Sequence, residues 1–288
     1  CRLLAKVGPL KFFGSGHSTD KIYDIIKRQD PDFWLEIGDQ VYFDYMGTID
    51  RAKTIKDMRK RYDLSWSYPH QKYLYANCPV YGLCDDHDLH RNNTDYKKRQ
   101  AEPDVWNYGL QVFREHQSLR GPSDKGPLWF SFIRKNATFF ICDSRSERRD
   151  NTIISDEQMD AIHDWVNNPN HASLYKFFVS PTPVISQDND DSWYGYPIQQ
   201  RQLIETLLQN TDVYILTGDA HVCRTGVYQV HNDLGDTNRQ VIEIMSSGLS
   251  AAACDRGKHY DRSIGSFQPD YDKKNDFPMV VDNTEKGG

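Results

Sequence analysis

Long apolar runs are missing from this 288-residue sequence. No stretch approaches the roughly 18 to 20 residues needed to cross a bilayer, and no basic-then-apolar start resembles a signal peptide. Cysteine is sparse: Cys1, Cys78, Cys84, Cys142, Cys223 and Cys254 include no Cys-x-x-Cys pair, which excludes zinc-finger and dithiol readings. Cys78 and Cys84 remain a candidate bridge, and Cys142, following Phe139-Phe140-Ile141, is expected as a buried thiol. Basic excess is also missing. Lys and Arg number 35 against 41 Asp and Glu, a net charge of -6, so the whole chain shows no footprint for a nucleic-acid backbone. There is no Gly-x-Ser-x-Gly elbow, phosphate loop, His-Glu-x-x-His or dinucleotide glycine fingerprint, which weakens the serine-hydrolase, kinase, zincin and dehydrogenase readings. No repeat, charge block or Gly/Ser linker divides the chain, so one domain over 1–288 is expected. No Met precedes Cys1. This suggests a cut in a longer chain, with a lipidated amino-terminal Cys as the alternative.

What is present is a globular composition, 38% hydrophobic, 12% aromatic and 26% charged, with helical and β-like patterns in alternation. Helices are predicted from near Thr19 to Asp30, over Thr54 to Arg61, over Asp104 to His116, after the capping pair Ser155 and Gln158, and from Pro197. Strands are predicted over Phe33–Ile37, Val80–Leu83, Leu174–Val179, Asp212–Leu216, Gly226–Val230, Val241–Met245 and Pro278–Val281, with a hairpin over Leu128–Cys142. This alternation implies an α/β domain with a partly parallel sheet.

Five of these strands end in polar clusters: Gly38-Asp39-Gln40-Val41-Tyr42, Asp85-Asp86-His87-Asp88, Cys142-Asp143-Ser144-Arg145, Ser180-Pro181-Thr182 and Gly218-Asp219-Ala220-His221. Carboxyl ends of parallel strands form the ligand crevice of α/β sheets, so these clusters are expected to converge. Asp39, Asp219, His221 and an amide from Asn92 or Asn93 make a nitrogen and oxygen donor set suited to hard or borderline cations. Two such cations can clamp the oxygens of a phosphoryl transfer. The commoner alternatives are turns for the Gly-Asp pairs, a helix N-terminus or solvated loop for Asp85 to His90, packing for Tyr42, and ion pairing of Arg145 with Asp143 or Glu147.

In order and spacing, Gly38 to Tyr42, Asp85 to Asp88 with Asn92-Asn93, Cys142 to Arg145 and Gly218 to His221 resemble the alkaline phosphatase D (PhoD-like) metallophosphatases of the calcineurin-like metallophosphoesterase superfamily, from about Lys11 to Asp282. The resemblance implies a four-layer α/β/β/α sandwich with two mixed β-sheets. It also implies hydrolysis of phosphate mono- or diesters by a metal-bound hydroxide at a dinuclear site. Asp39 would bridge two metals, Tyr42 and His221 would bind the first, and Asn93 (or Asn92) and Asp219 the second. His87 and Arg145 would stand near the phosphate. Iron plus calcium is the implied pair. Where the family usually has Gly-Ser-Cys, this chain reads Gly14-Ser15-Gly16-His17. His17 is therefore expected to replace the thiolate, with zinc or manganese as alternative metals. Cys84 stands where the family usually has Trp, and another edge strand would be expected after Val281. The implied substrate is a small-molecule or lipid phosphoester, and the implied location is periplasmic, secreted or cell-surface. The rival readings are a noncatalytic metal- or phosphoester-binding protein on the same fold and a metal-free glycosidase using Asp86 and Asp219.

Overall fold

The computed structural model describes residues 16–44, 51–117, 126–185, 191–209, 213–220, 223–229, 240–246 and 279–282. The chain divides into two compact units, Cys1–Leu128 with Gly248–Ala252, and Trp129–Ser247 with Ala253–Gly288. Both mix helices with strands.

In the first unit, α1 (Gly16–Arg28) leads into β1 (Trp34–Ile37), and α2 (Ile55–Trp66) and α3 (Pro69–Asn77) lead into β2 (Val80–Leu83). The short α4 (Asp86–Leu89), α5 (Tyr96–Ala101) and α6 (Pro103–His116) follow. Thr54 caps α2 by accepting a bond from the Asp57 amide, while Pro69 and Pro103 open α3 and α6 where no amide hydrogen is needed. β1 and β2 run parallel, with Ile37 beside Leu83, so both strands end at the same level. Val112 of α6 packs with Val41, Phe43, Met58 and Tyr62, burying the chain on either side of the β1 loop.

The second unit is built on a seven-stranded sheet of β3 (Phe130–Arg134), β4 (Ala137–Ile141), β5 (Tyr175–Ser180), β6 (Val213–Thr217), β7 (Cys223–Gln229), β8 (Gln240–Ser246) and β9 (Met279–Asp282), in the order β3-β4-β5-β6-β8-β7-β9. The four central strands are parallel, and antiparallel partners flank them. Because side chains alternate across a strand, Phe140, Phe178, Val213 and Ile215 face one way and pack with Ile162, Trp165 and Val166 of α7 (Asp156–Asn167) and Leu203, Ile204 and Leu207 of α8 (Pro197–Leu207). Phe132, Phe139, Phe177 and Tyr214 form a ladder of stacked rings on the other face, 4.9 to 5.5 Å between successive centroids. Burying such rings, at ~25 cal/mol per Å² of apolar area, is the main cohesive term for the sheet.

The predicted strands are therefore present to within a few residues at each end. α3 and α5 were not predicted. Cys78, Cys84 and Cys142 are buried and form no disulfide.

Candidate metal centre

The level ends of β1 and β2 release Gly38-Asp39 and Cys84-Asp85-Asp86 side by side. Gly38 turns the chain at φ 76°, and Asp39 follows at φ 55°, a left-handed conformation that short polar residues tolerate better than most. Asp86 accepts the His87 amide at 2.9 Å and also the amide of Asn93, itself left-handed at φ 52°. The loop after β2 thus folds back on its own carboxylate.

These turns gather a donor set. Asp39, Asp86 and His87 each offer one ligand atom, all within 4.8 Å of one another, and both carboxylates are about 1% exposed. Asp85, wholly buried, stands beside Asp86. Packed carboxylates with no access to water repel one another, and the field they make is the kind that a bound cation neutralises. Carboxylate oxygens with an imidazole suit a hard or borderline ion, so the residues present fit the metal that the motifs imply.

Around this set the side chains are held firmly. The Tyr42 hydroxyl donates to Asp39 Oδ2 at 3.0 Å, and its ring stacks on His87 at 4.1 Å. His87 Nδ1 lies 2.6 Å from Asp44 Oδ1, and Asp44 Oδ2 accepts the Asn92 amide at 2.7 Å. Burial opposes a charge on His87, but Asp86, Asp39 and Asp44 outweigh it and raise its pKa well above the ordinary imidazole value. His90, by contrast, is lowered to about 4, by burial first and then by Arg51.

Of the residues expected at the site, Asp39, Tyr42 and His87 meet here, and Asn93 joins them through Asp86. Asn93 is half-buried, whereas Asn92 is exposed and donates from Nδ2 to Asn93 Oδ1 at 2.7 Å. Asp219 follows β6 at φ 65°. Arg145 is buried in the second unit, its guanidinium 2.6 and 3.1 Å from the two oxygens of Asp191, which also pairs with Arg148 at 2.8 Å. His221 lies outside the described residues, as does the side chain of His17, whose backbone falls within α1. Trp193 is wholly buried and donates to Ser180 Oγ, so it packs, while Tyr194 is about half exposed.

Sequence reasoning passed over Asp86 as a metal ligand and over Asp44 altogether, and it named Asp88 only as a member of the polar cluster after β2, with no role of its own. For Asp86 the signal was present: an acidic pair at the end of a strand parallel to the one that delivers Asp39.

A family model described as PhoD-like phosphatase matches residues 14–285 of the chain. No curated protein matches it by sequence. A solved structure of PhoD aligns over 81% of this chain and 54% of its own, with 18% identity and a TM-score of 0.67; the chain spans about half the length of that relative. A dimetal phosphatase from Danio rerio aligns over 81% of this chain and 78% of its own, with 12% identity and a TM-score of 0.46.

Proposed function

Because this chain belongs to the PhoD-like phosphatase family, we propose that it hydrolyses phosphate mono- or diesters at a two-metal centre built around Asp39 and Asp86. The observation that carries this reading is the buried donor set at the level ends of two parallel strands. Two cations held there would supply Lewis acidity for the ester and activate water near neutral pH. Asp39 would bridge them, Asp86 and Asn93 would support one, and Tyr42 would sit against the other. The resemblance adds His17, Asp219 and His221 to the ligands. Iron with calcium is the pair it implies, and zinc or manganese becomes the alternative with Gly16 in place of the usual Cys.

Although His87 lies within ligand distance of Asp39 and Asp86, we read it as the acid that would deliver the proton to the leaving alkoxide rather than as a metal ligand. With Nδ1 engaged by Asp44, Nε2 is the nitrogen left to face the reacting group. Arg145 near the phosphate remains part of the proposal as well, and this role requires its guanidinium to exchange Asp191 for the ester.

We further read 1–288 as one catalytic domain acting on a small-molecule or lipid phosphoester outside the cytoplasm. No helix among the described residues is long and apolar enough to cross a membrane.

Elemental analysis of the protein purified without added metal or chelator tests the centre. About two ions per chain are expected, and absence of iron would support His17 in the place of the thiolate. Chelation should abolish ester hydrolysis, and Asp39→Asn should lower it by about 100-fold or more. An Asp39→Asn enzyme as fast as its parent would refute the assignment. Bound metal without turnover on any mono- or diester would favour the noncatalytic reading.

A further inference from the structure

Three successive amides at the β1 turn converge on one acidic side chain. Asp39 N donates to Asp88 Oδ2 at 2.7 Å, and Gln40 N and Val41 N donate to Asp88 Oδ1 at 2.8 and 2.9 Å. Asp85 N, at the end of β2, donates to Oδ2 at 3.0 Å. Consecutive amides turned inward in this way form a concavity for an anion. Here the group that fills it is the wholly buried carboxyl of Asp88, from the same chain.

Asp88 lies on α4, the same short helix that carries Asp86 and His87. Its two oxygens therefore join the loop bearing Asp39 to the segment bearing the other two donors, across a sequence separation of 47 to 49 residues. The left-handed turn at Asp39 is a conformation that needs outside support. The amide bonds of Asp39 and its two successors to Asp88 supply it.

Resting on the metal reading above, we propose that Asp88 is a positioning residue that sets the affinity and geometry of the metal centre by fixing the Asp39 backbone against α4. Asp88 touches neither substrate nor metal in this role. It determines where the Asp39 carboxylate points relative to Asp86 and His87. An Asn in its place would retain one carbonyl oxygen and turn an NH2 group toward the amides that now donate, so the cradle would lose acceptors and gain a donor.

Cobalt(II) binding to the chelated, folded full chain tests this, because its absorption bands report coordination geometry independently of turnover. Asp88→Asn should weaken cobalt binding by about 10- to 100-fold, the range seen when groups behind metal ligands are removed, and should change the bands. Leu74→Ala serves as the control for lost stability, since Leu74 is buried in α3 among Tyr23 and Cys78. It should lower the melting temperature yet leave cobalt affinity within about twofold, below the range above. If Asp88→Asn does not fold, Asp88→Glu carries the same comparison: it keeps the carboxylate but displaces it by one methylene, and the bands should again shift.

Parent-like affinity and bands in a folded Asp88 variant would overturn the proposal, as would an equal loss of affinity in Leu74→Ala. A parent that takes up no cobalt would overturn the metal reading itself, and this inference with it.

Discussion

Asp44 holds two neighbours of the centre at once, the His87 ring and the Asn92 amide, and is mostly buried while doing so. Asp44→Asn would replace a charged acceptor with an amide and leave the imidazole poorly oriented. Turnover should fall by about 100-fold, the lower end of what a positioned acid or base contributes, while the metal content stays at the parental value. Steady-state kinetics beside metal analysis checks both halves. Gly109 of α6 makes a different kind of point. A Cβ placed there would lie 1.8 Å from the Leu89 carbonyl oxygen, at the end of α4. Backbone cannot yield as a flexible side chain would, so Gly109→Ala should cost about 1 to 3 kcal/mol in denaturant unfolding despite the better helix propensity of alanine. What sequence could not reveal at this scale is partnership over distance. Gly38-Asp39 could be read because a second Gly-Asp pair, Gly218-Asp219, also stands at a strand end with His221 two residues on, although either pair alone is common in ordinary turns. The part played by Asp88 could not, because three of the amides it accepts lie more than 45 residues away, and amides carry no side-chain signature. Arg145 likewise showed its charge but not its counter-ion, 46 residues downstream.

Elements with strong periodicity or a recognisable cap were legible. Ser155 does cap α7, accepting from the Gln158 amide at 3.2 Å, and Ser155→Ala should cost about 1 kcal/mol. α3 was not legible. Only Gln71 and Leu74 of its nine residues are buried, and Tyr73 is exposed, so no apolar stripe marks it. The ion cluster that fixes the segment after β4 gives the element scale its pH dependence. Burial opposes the charge of Asp191, but Arg145 and Arg148 outweigh burial and hold its carboxyl at about 2. The folded-state pKa is thus depressed below the ordinary value of 3.8. The resulting stability is fully present above about pH 4 and is lost as pH falls toward about 2. At 1.36 kcal/mol per unit this amounts to roughly 2 to 3 kcal/mol. Asp191→Asn should be less stable at neutral pH by about 3 to 5 kcal/mol, because it leaves two buried guanidiniums without their carboxylate. Its stability should also lack the parental fall between pH 4 and 2. Urea titrations across that window separate the two behaviours, and an identical pH slope in both proteins would show that Asp191 is not the group responsible.

For the molecule as a whole, what the sequence conveyed was the α/β architecture with its parallel strands, and the structure agrees with PhoD in fold. No change of composition and no linker marks the boundary at Leu128 between the two compact units. That boundary falls between residues that are ordinary in sequence and differ only in what they pack against. The metal reading has a thermodynamic consequence that does not depend on knowing the ester. An ion that binds only the folded chain stabilises it by about 2.7 kcal/mol when present at 100 times its dissociation constant. Chelation should therefore lower the melting temperature by several degrees, since about 1 kcal/mol moves a chain of this size by a few degrees. The shift should return with added metal and grow with its concentration. Asp39→Asn and Asp86→Asn remove the two buried donors and also relieve part of the carboxylate repulsion. Both should abolish the metal-dependent gain, and Asp39→Asn should also raise the stability of the chelated protein relative to the parent, whereas Asp86→Asn loses an acceptor for the His87 and Asn93 amides and should not. Calorimetry on parent and variants, with and without chelator, reads both signs. Variants that lose stability in chelator and keep the full metal response would mean that these carboxylates hold the fold rather than the ions.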